Sequence, residues 1–369
     1  MYFCYYHAVD DKTKAYIAFS HFLGIGPIKF QAIKKRFNTV EEAYKSNYLK
    51  LSSIVGAKTA SKFIDFRKEF ESVDYEKKFK EKNIKVIHQE NKLFPKNLIN
   101  IPDPPICIYV KGNYDLFDFD GKIISIVGTR MPTSYGQKAT KDITYTLVGA
   151  GYSIVSGLAL GIDSMAHSAC IESGGPTIAV LGCGVDIVYP YSNRSLYKSI
   201  LQNNGLIISE FPPGMTVLKG LFVARNRLIS AFSSAVIVVE GSKRSGSLIT
   251  AKYAAEQGKD VYAVPGLITS VMSEAPNLLI KEGAKPIISM DDLLQDFNIK
   301  RSKSAAKIDM KDLSKFELSI IEILKGGSMS TDEILDKHGK DLTLILQALT
   351  SLELKGYVVK NADGKYSLA

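Results

Sequence analysis

The sequence predicts an α/β fold built on an extended Rossmann-like, doubly wound parallel sheet, and two observations predict it. Short apolar runs recur between residues 85 and 264, several with few or no interrupting polar residues, as strands buried on both faces require. Segments of helical period separate them, and strand alternating with helix is the pattern of parallel strands joined by crossover helices.

Taken in order, residues 12 to about 80 place Lys, Phe and Ile at spacings of three and four, which predicts a helical N-terminal domain over residues 1–80. Within it Leu23-Gly-Ile-Gly26 and Ile54-Val-Gly-Ala57 each precede a helix and resemble helix-hairpin-helix turns, the second without the final glycine; a plain glycine turn in a helical, SAM-like bundle is the competing reading. The strand-like runs follow: Lys85–His88, Ile106–Val110, Ile123–Val127, Thr177–Leu181, Leu206–Ile208, Ala235–Val239 and Val261–Val264. Helical segments lie between them at Gln137–Val148, Ser164–Ser173, Asn193–Gln202 and Ser247–Gln257, and together these define a domain over residues 81–298. Residues 299–312, around Lys300-Arg-Ser-Lys-Ser-Ala-Ala-Lys307, have no hydrophobic period and read as a basic linker. Residues 313–369 then give a helix at Phe316–Leu324, a capping box of Ser330 with Glu333, and a third helix at Leu342–Leu354 with Leu344, Leu349, Leu352 and Leu354 apolar. A hairpin turning at Asn361-Ala-Asp-Gly364 completes the pattern of a winged helix.

Composition narrows the function. No apolar run approaches the roughly 18 residues of a membrane helix, and the N-terminus lacks the basic and apolar regions of a secretory signal. Cys4, Cys107, Cys170 and Cys183 are scattered, without a CxxC pair, as buried free thiols would be. These features predict a cytoplasmic protein. The formal charge of +9 favours an anionic partner.

Glycines fall where strands end, at Val127-Gly-Thr-Arg130, Val155-Ser-Gly157, Leu181-Gly-Cys-Gly184 and Val264-Pro-Gly266. Ligands of open parallel sheets bind beyond those ends, where glycine lets a bound group approach the backbone. The known nucleotide signatures fail: Gly182-Cys-Gly184 is followed by Ile187 where a third glycine would stand, and Gly241-Ser-Lys-Arg-Ser-Gly246 continues with Ser247-Leu248 instead of Lys-Ser. What remains is a short, hydroxyl-rich, doubly basic loop, Glu240–Ser247, suited to cradling phosphates. Ala224-Arg-Asn-Arg227, read as the start of another helix, adds Arg225, Asn226 and Arg227, and Arg130 adds a further cation; converging guanidiniums read as phosphate clamps.

Catalysis finds no support. GxSxG, HExxH and Cys/His clusters are absent. His167 stands alone and reads as a core or capping group, while Asp163 and Glu240 serve as readily to pair with basic residues as to act as acid and base. No metal or cofactor is expected.

Ser156-Gly-Leu-Ala-Leu-Gly-Ile-Asp-Ser-Met-Ala-His167, Gly175–Gly184, Tyr189-Pro190, Arg225–Ser230, Ser245–Ala251 and Ala263–Gly266 closely resemble the DNA-processing protein A family, also called Smf, with the likeness running from about Pro95 to Gly283. The resemblance implies a Rossmann domain that binds single-stranded DNA, shields incoming DNA during natural transformation, helps load the RecA recombinase and forms a homodimer. It implies a DNA pocket of Gly128, Thr129, Arg130, Ser156, Gly157, Arg225, Asn226, Arg227, Lys243, Arg244, Ser245, Gly246 and Ser247. Two departures touch loops: Leu221-Phe-Val-Ala224 stands where members carry Phe-Pro, and Ala275-Pro-Asn277 where they carry Gly-Thr-Asn. The competing function is that of a nucleotide-processing phosphoribohydrolase on a related fold; its Pro-Gly-Gly-x-Gly-Thr loop is missing here. A winged-helix transcription factor fits poorly, since Ile345–Leu354 carries no Lys or Arg.

Overall fold

The computed structural model describes residues 10–70, 74–118, 122–297, 313–339, 341–361 and 364–368. They fall into two compact units, divided after residue 300. Cys4 and the expected linker lie outside the described residues.

The first unit opens with helices α1 (Asp11–His21), α2 (Pro27–Lys34), α3 (Val40–Lys45), α4 (Tyr48–Val55), α5 (Ala57–Phe70) and α6 (Tyr75–Glu81). Side-chain caps start several of them: Asp10 accepts from the Thr13 N–H, Thr39 from Glu42 and Asn47 from Lys50. The boundary expected near residue 80 falls inside α6. Phe19, Phe30 and Phe63 of these helices share one apolar core with Tyr109, Ile207 and Leu181 of the sheet region, so no gap in packing separates the two.

There follow β1 (Lys85–His88), α7 (Lys96–Ile99), β2 (Cys107–Gly112), β3 (Ile123–Val127), α8 (Ser134–Gly149), β4 (Ser153–Ser156), α9 (Ile162–Glu172), β5 (Thr177–Val180), α10 (Arg194–Gln202) and β6 (Leu206–Ser209). The unit ends with α11 (Lys219–Phe232), β7 (Ala235–Val238), α12 (Ser247–Glu256), β8 (Asp260–Ala263), α13 (Glu274–Lys281), β9 (Lys285–Pro286) and α14 (Met290–Asp296). Among the described residues the strands form one sheet in the order β1-β2-β6-β5-β4-β3-β7-β8-β9. Every residue of β3, β4, β5, β6 and β7 is buried, as their apolar runs require.

The sheet is parallel from β6 through β9, as expected, but β1 and β2 depart from it. β1 pairs antiparallel with β2, and β2 antiparallel with β6. A parallel pairing needs a crossover of a dozen or more residues, usually a helix. The β1–β2 connection carries only the four-residue α7, so the chain doubles back beside itself.

The second unit consists of α15 (Lys315–Leu324), α16 (Thr331–His338), α17 (Leu342–Leu354) and the antiparallel pair β10 (Val358–Lys360) and β11 (Tyr366–Leu368). Met329, just before α16, bridges to Tyr366 and extends the ladder. Ser330 with Glu333 forms the expected capping box, and Ser314 with Glu317 forms a second. Ile345, Leu349 and Leu352 fill the core, whereas Leu344, one of the leucines of the apolar pattern, is exposed.

Candidate nucleic-acid interface

Strand order places the site. From β3 the chain adds β4, β5 and β6 on one side and then returns to add β7 and β8 on the other. Neighbours β3 and β7 thus mark the reversal, the point outside whose carboxyl ends open sheets bind ligands. Two of the sequence-predicted segments leave from there: Gly128-Thr129-Arg130 after β3 and Glu240–Ser247 after β7.

These two loops are fastened together. The Thr129 N–H donates to the Glu240 carbonyl at 2.7 Å. A Cβ on Gly128 would stand 2.9 Å from that same oxygen, so the residue has to be glycine for the loops to meet so closely. The Glu240 side chain, 2% exposed, turns to the start of α8, where it accepts from the Thr133 N–H at 2.9 Å and from the Thr133 hydroxyl at 2.6 Å. The partial positive charge at this helix start is therefore met by a carboxylate of the protein. This is the position at which a dinucleotide pyrophosphate sits in Rossmann domains. Glu240 is a structural acceptor here and has no basic partner among the described ion pairs.

The loop after β4 closes the other side. Gly161 has φ of 76°, and a Cβ there would lie 2.3 Å from the Thr129 carbonyl oxygen. Its neighbour Ile162 donates back to that oxygen at 3.1 Å. Asp163, buried, accepts from the Gly157 N–H at 3.0 Å; burial raises its carboxyl above the ordinary range, and Arg225 opposes that rise. Ser156 is fully buried and donates to the Ile126 carbonyl, so it holds the strand end and offers no free hydroxyl.

Arg225, Asn226 and Arg227 require a correction. They do not open a helix: α11 begins at Lys219, and the three lie in its middle. Arg225 is 4% exposed and donates to the carbonyls of Gly157 and Val180. Burial pulls its guanidinium down to about 10, with Asp163 working against that, and its Nε has no hydrogen-bond partner among the described residues. Arg227 is held between Asp103 at 2.7 Å and both oxygens of Glu210 at 2.9 and 2.7 Å. Burial alone would lower it, but these carboxylates raise it and keep it charged. Asn226 is half-buried and reaches the Gly246 carbonyl at 3.4 Å, which ties α11 to the basic loop. The sequence pattern of alternating arginines gives no sign of which side of a helix they face; the internal partners do.

The cations left open are Arg130, Lys243 and Arg244, all exposed. Lys243 stands 3.7 Å from Glu274 and stays 73% accessible. The loop that carries it satisfies itself: Ser245 and Ser247 bond each other at 2.7 Å, and the Ser245 N–H donates to the Ser242 carbonyl. Ser247 is buried and Gly246 exposed.

Arg130, Gly157 and Arg225 come together with Ala159, Leu160, Tyr189, Pro190 and Phe222 around a small cleft of about 50 Å³. The rings of Tyr189 and Phe222 lie 5.4 Å apart, with Tyr189 44% exposed. Sequence reasoning passed over these rings, because Phe222 registered only as a departure from a family pattern and Tyr189 only as part of a matching block. Asn277 braces the neighbouring loop, exchanging hydrogen bonds with the Gly266 N–H and carbonyl at 3.3 and 3.0 Å. His167 is core, its Nδ1 2.7 Å from the Thr177 hydroxyl and its pKa pulled down to about 3 by burial and then by Arg225. Cys107, Cys170 and Cys183 are buried free thiols. Among the described residues no cluster of His, Cys, Asp and Glu is arranged to hold a metal, and no helix is long and apolar enough to cross a membrane.

Residues 85–298 match the family model described as DNA recombination-mediator protein A. The protein Smf of Synechocystis is 38% identical over 77% of this chain and 72% of its own length. The DNA processing protein DprA of Bacillus subtilis is 41% identical over 59% and 73%. Among solved structures, DNA processing protein A from Streptococcus pneumoniae superposes with a TM-score of 0.67 at 31% identity, covering 79% of this chain and 99% of that one. DNA processing protein A from Helicobacter pylori, whose structure is described for its single-stranded DNA binding mode, gives 0.53 at 31% identity over 58% and 95%.

Proposed function

This chain belongs to the DNA recombination-mediator protein A family, and from that premise we propose that it binds single-stranded DNA at the β3–β7 edge of its sheet and acts without catalysing a reaction. The observation that carries the proposal is the arrangement around the small cleft: the exposed cation Arg130 beside the Tyr189 and Phe222 rings. A single strand needs both kinds of contact, cations for its phosphates and ring faces on which bases stack, the latter contributing roughly 1–3 kcal/mol per base. Lys243 and Arg244 extend the phosphate track, Gly157 and Gly128 bring the backbone close, and Thr129, Ser245, Gly246 and Ser247 shape the walls. Arg225 holds the Gly157 turn from beneath, and Arg227 braces α11 through Asp103 and Glu210.

The nucleotide-hydrolase alternative loses its anchor, since Glu240 fills the helix start that a phosphate would use. In the cell the protein would protect incoming strands and help load RecA, as a homodimer in the cytoplasm, with the second unit acting as a winged helix. The test is a gel-shift comparison of single- and double-stranded oligonucleotides of equal length across salt, with ATP and nucleoside monophosphate turnover assayed on the same preparation. Tighter binding of single strands and no turnover are expected. Equal or tighter duplex binding by the sheet site, or turnover abolished by changing Asp163 or Glu240, would overturn the reading.

A further inference from the structure

The positive charge of this chain is concentrated away from the cleft just described. Residues 10–70 carry 12 Lys and Arg against six Asp and Glu, whereas residues 83–297, which hold the sheet, carry 19 against 18. The helical region therefore supplies most of the +9 formal charge, and part of that surplus is gathered on one surface. The α1–α2 and α4–α5 turns are brought together by Lys29, whose Nζ donates to the Gly24 carbonyl at 3.1 Å and to the Thr59 hydroxyl at 3.3 Å. Thr59 lies in the first turn of α5 between Lys58 and Lys62, which are exposed and one helical turn apart. Among the described residues no carboxylate lies within ion-pair distance of Lys29, Lys58 or Lys62. Leu23 and Ile28 stand exposed beside them.

We propose that this surface, with Lys29, Lys58 and Lys62 at its centre, is a second DNA-binding site that holds duplex DNA through its phosphates. Charge complementarity argues for a polyanion. The rings argue for a duplex: Phe30 and Phe63 are fully buried, and the half-buried Phe22 and Phe66 pack on Phe63 and on each other, so these four rings leave little open face on which an unpaired base could stack. A duplex presents its phosphates rigidly, about one charge per 1.7 Å of axis, and needs no stacking partner. A chain that grips a single strand at its sheet and a duplex on its helices holds both kinds of DNA at once.

The experiment uses the full chain, blunt duplex and single-stranded probes labelled for fluorescence anisotropy, and a series of salt concentrations. Among the described residues Lys58 and Lys62 have no hydrogen-bond or ion-pair partner, so Lys58→Gln with Lys62→Gln should leave the circular dichroism spectrum and melting temperature unchanged. Duplex affinity should fall at least about tenfold, and the log K against log salt slope should flatten by nearly 2, at about 0.9 per lost phosphate contact. Single-strand affinity should hold within about twofold, because those contacts lie on the sheet. Lys58→Arg with Lys62→Arg should retain duplex binding. Unchanged duplex affinity and slope in the Gln pair would overturn the proposal. So would duplex binding lost instead on substitution of Arg130, Lys243 and Arg244, which would put the duplex in the cleft. Binding of phosphatidylserine–phosphatidylcholine vesicles that the Gln pair abolishes, with duplex binding intact, would assign the surface to a membrane. Failure of single-strand binding in the unsubstituted protein would remove the proposed function and leave this inference standing.

Discussion

The Glu240 carboxylate grips both the N–H and the hydroxyl of Thr133, at 2.9 and 2.6 Å, and so occupies the start of the helix that follows the first strand of the parallel sheet. It also fixes a packing constraint, because a Cβ on Gly136 would come within 2.1 Å of the same carboxylate. Glu240→Ala should destabilise the protein by about 2–4 kcal/mol, since two donors lose a buried charged acceptor. Glu240→Gln retains one acceptor oxygen and should cost less. Denaturant melts of the two variants check this; equal losses, or none, would show that the contact does not hold the loop.

Arg225 should behave as a buried support. Arg225→Ala removes the donor to the Gly157 and Val180 carbonyls and leaves Asp163 buried without its neighbouring cation, a change that costs about 3–5 kcal/mol when a buried charge loses its compensation. The loss should appear first in thermal stability. A variant that melts like the parent and only binds DNA less well would place this guanidinium on the ligand instead.

Much of this architecture was legible in the sequence. The runs at Ile123–Val127, broken only by Ser125, and Ala235–Val239 signalled buried parallel strands because such strands have no polar face to show. The antiparallel start was not legible, since Lys85–His88 and Ile106–Val110 have the same texture as the parallel strands and only the helix-poor link between them differs. The loops of the site were found by their glycines. The fate of its arginines was not: Arg225 and Arg227 are spent on carbonyls and carboxylates contributed by Gly157, Val180, Asp103 and Glu210, all far away in sequence.

Gly161→Ala should disturb the site without emptying it. The substitution forces a Cβ into the Thr129 carbonyl at a φ of 76°. Such a residue costs about 1–3 kcal/mol in backbone strain before the clash is counted. Reduced melting temperature together with weakened single-strand binding is expected; a stable variant of unchanged affinity would show that the 157–162 and 128–130 loops move independently.

Acid should unfold the first unit through its histidines. Burial lowers His167 to about 3 and His21 to about 4, below the ordinary 6.5. Above that ordinary value neither state binds the proton, and the stability is fully present. As pH falls below about 6.5 the unfolded chain takes up protons that the folded chain refuses, and stability drops progressively toward pH 4, by on the order of a few kcal/mol. Denaturant midpoints measured from pH 7.5 to 4 check the sign: a flat profile, or one that rises toward acid, would contradict the buried neutral state of these rings.

A chain ending at residue 297 retains β1 to β9 and the cleft and should unfold cooperatively with most of its single-strand affinity, because the first unit has apolar cores built from its own residues. Loss of its cooperative transition would show that the first unit depends on residues beyond 297.

The salt dependence of single-strand binding tests the central claim most directly. Arg130, Lys243 and Arg244 are the open cations at the β3–β7 edge, and each phosphate contact contributes a slope of about −0.7 in log K against log salt. Lys243→Ala with Arg244→Ala should weaken binding across sequences and flatten the slope by roughly one to two units, and Arg130→Ala should act in the same direction. The fold should survive, since exposed loop cations contribute little to stability. Parental affinity and slope in both variants, with folding verified by circular dichroism, would contradict the account and move the single strand away from this edge.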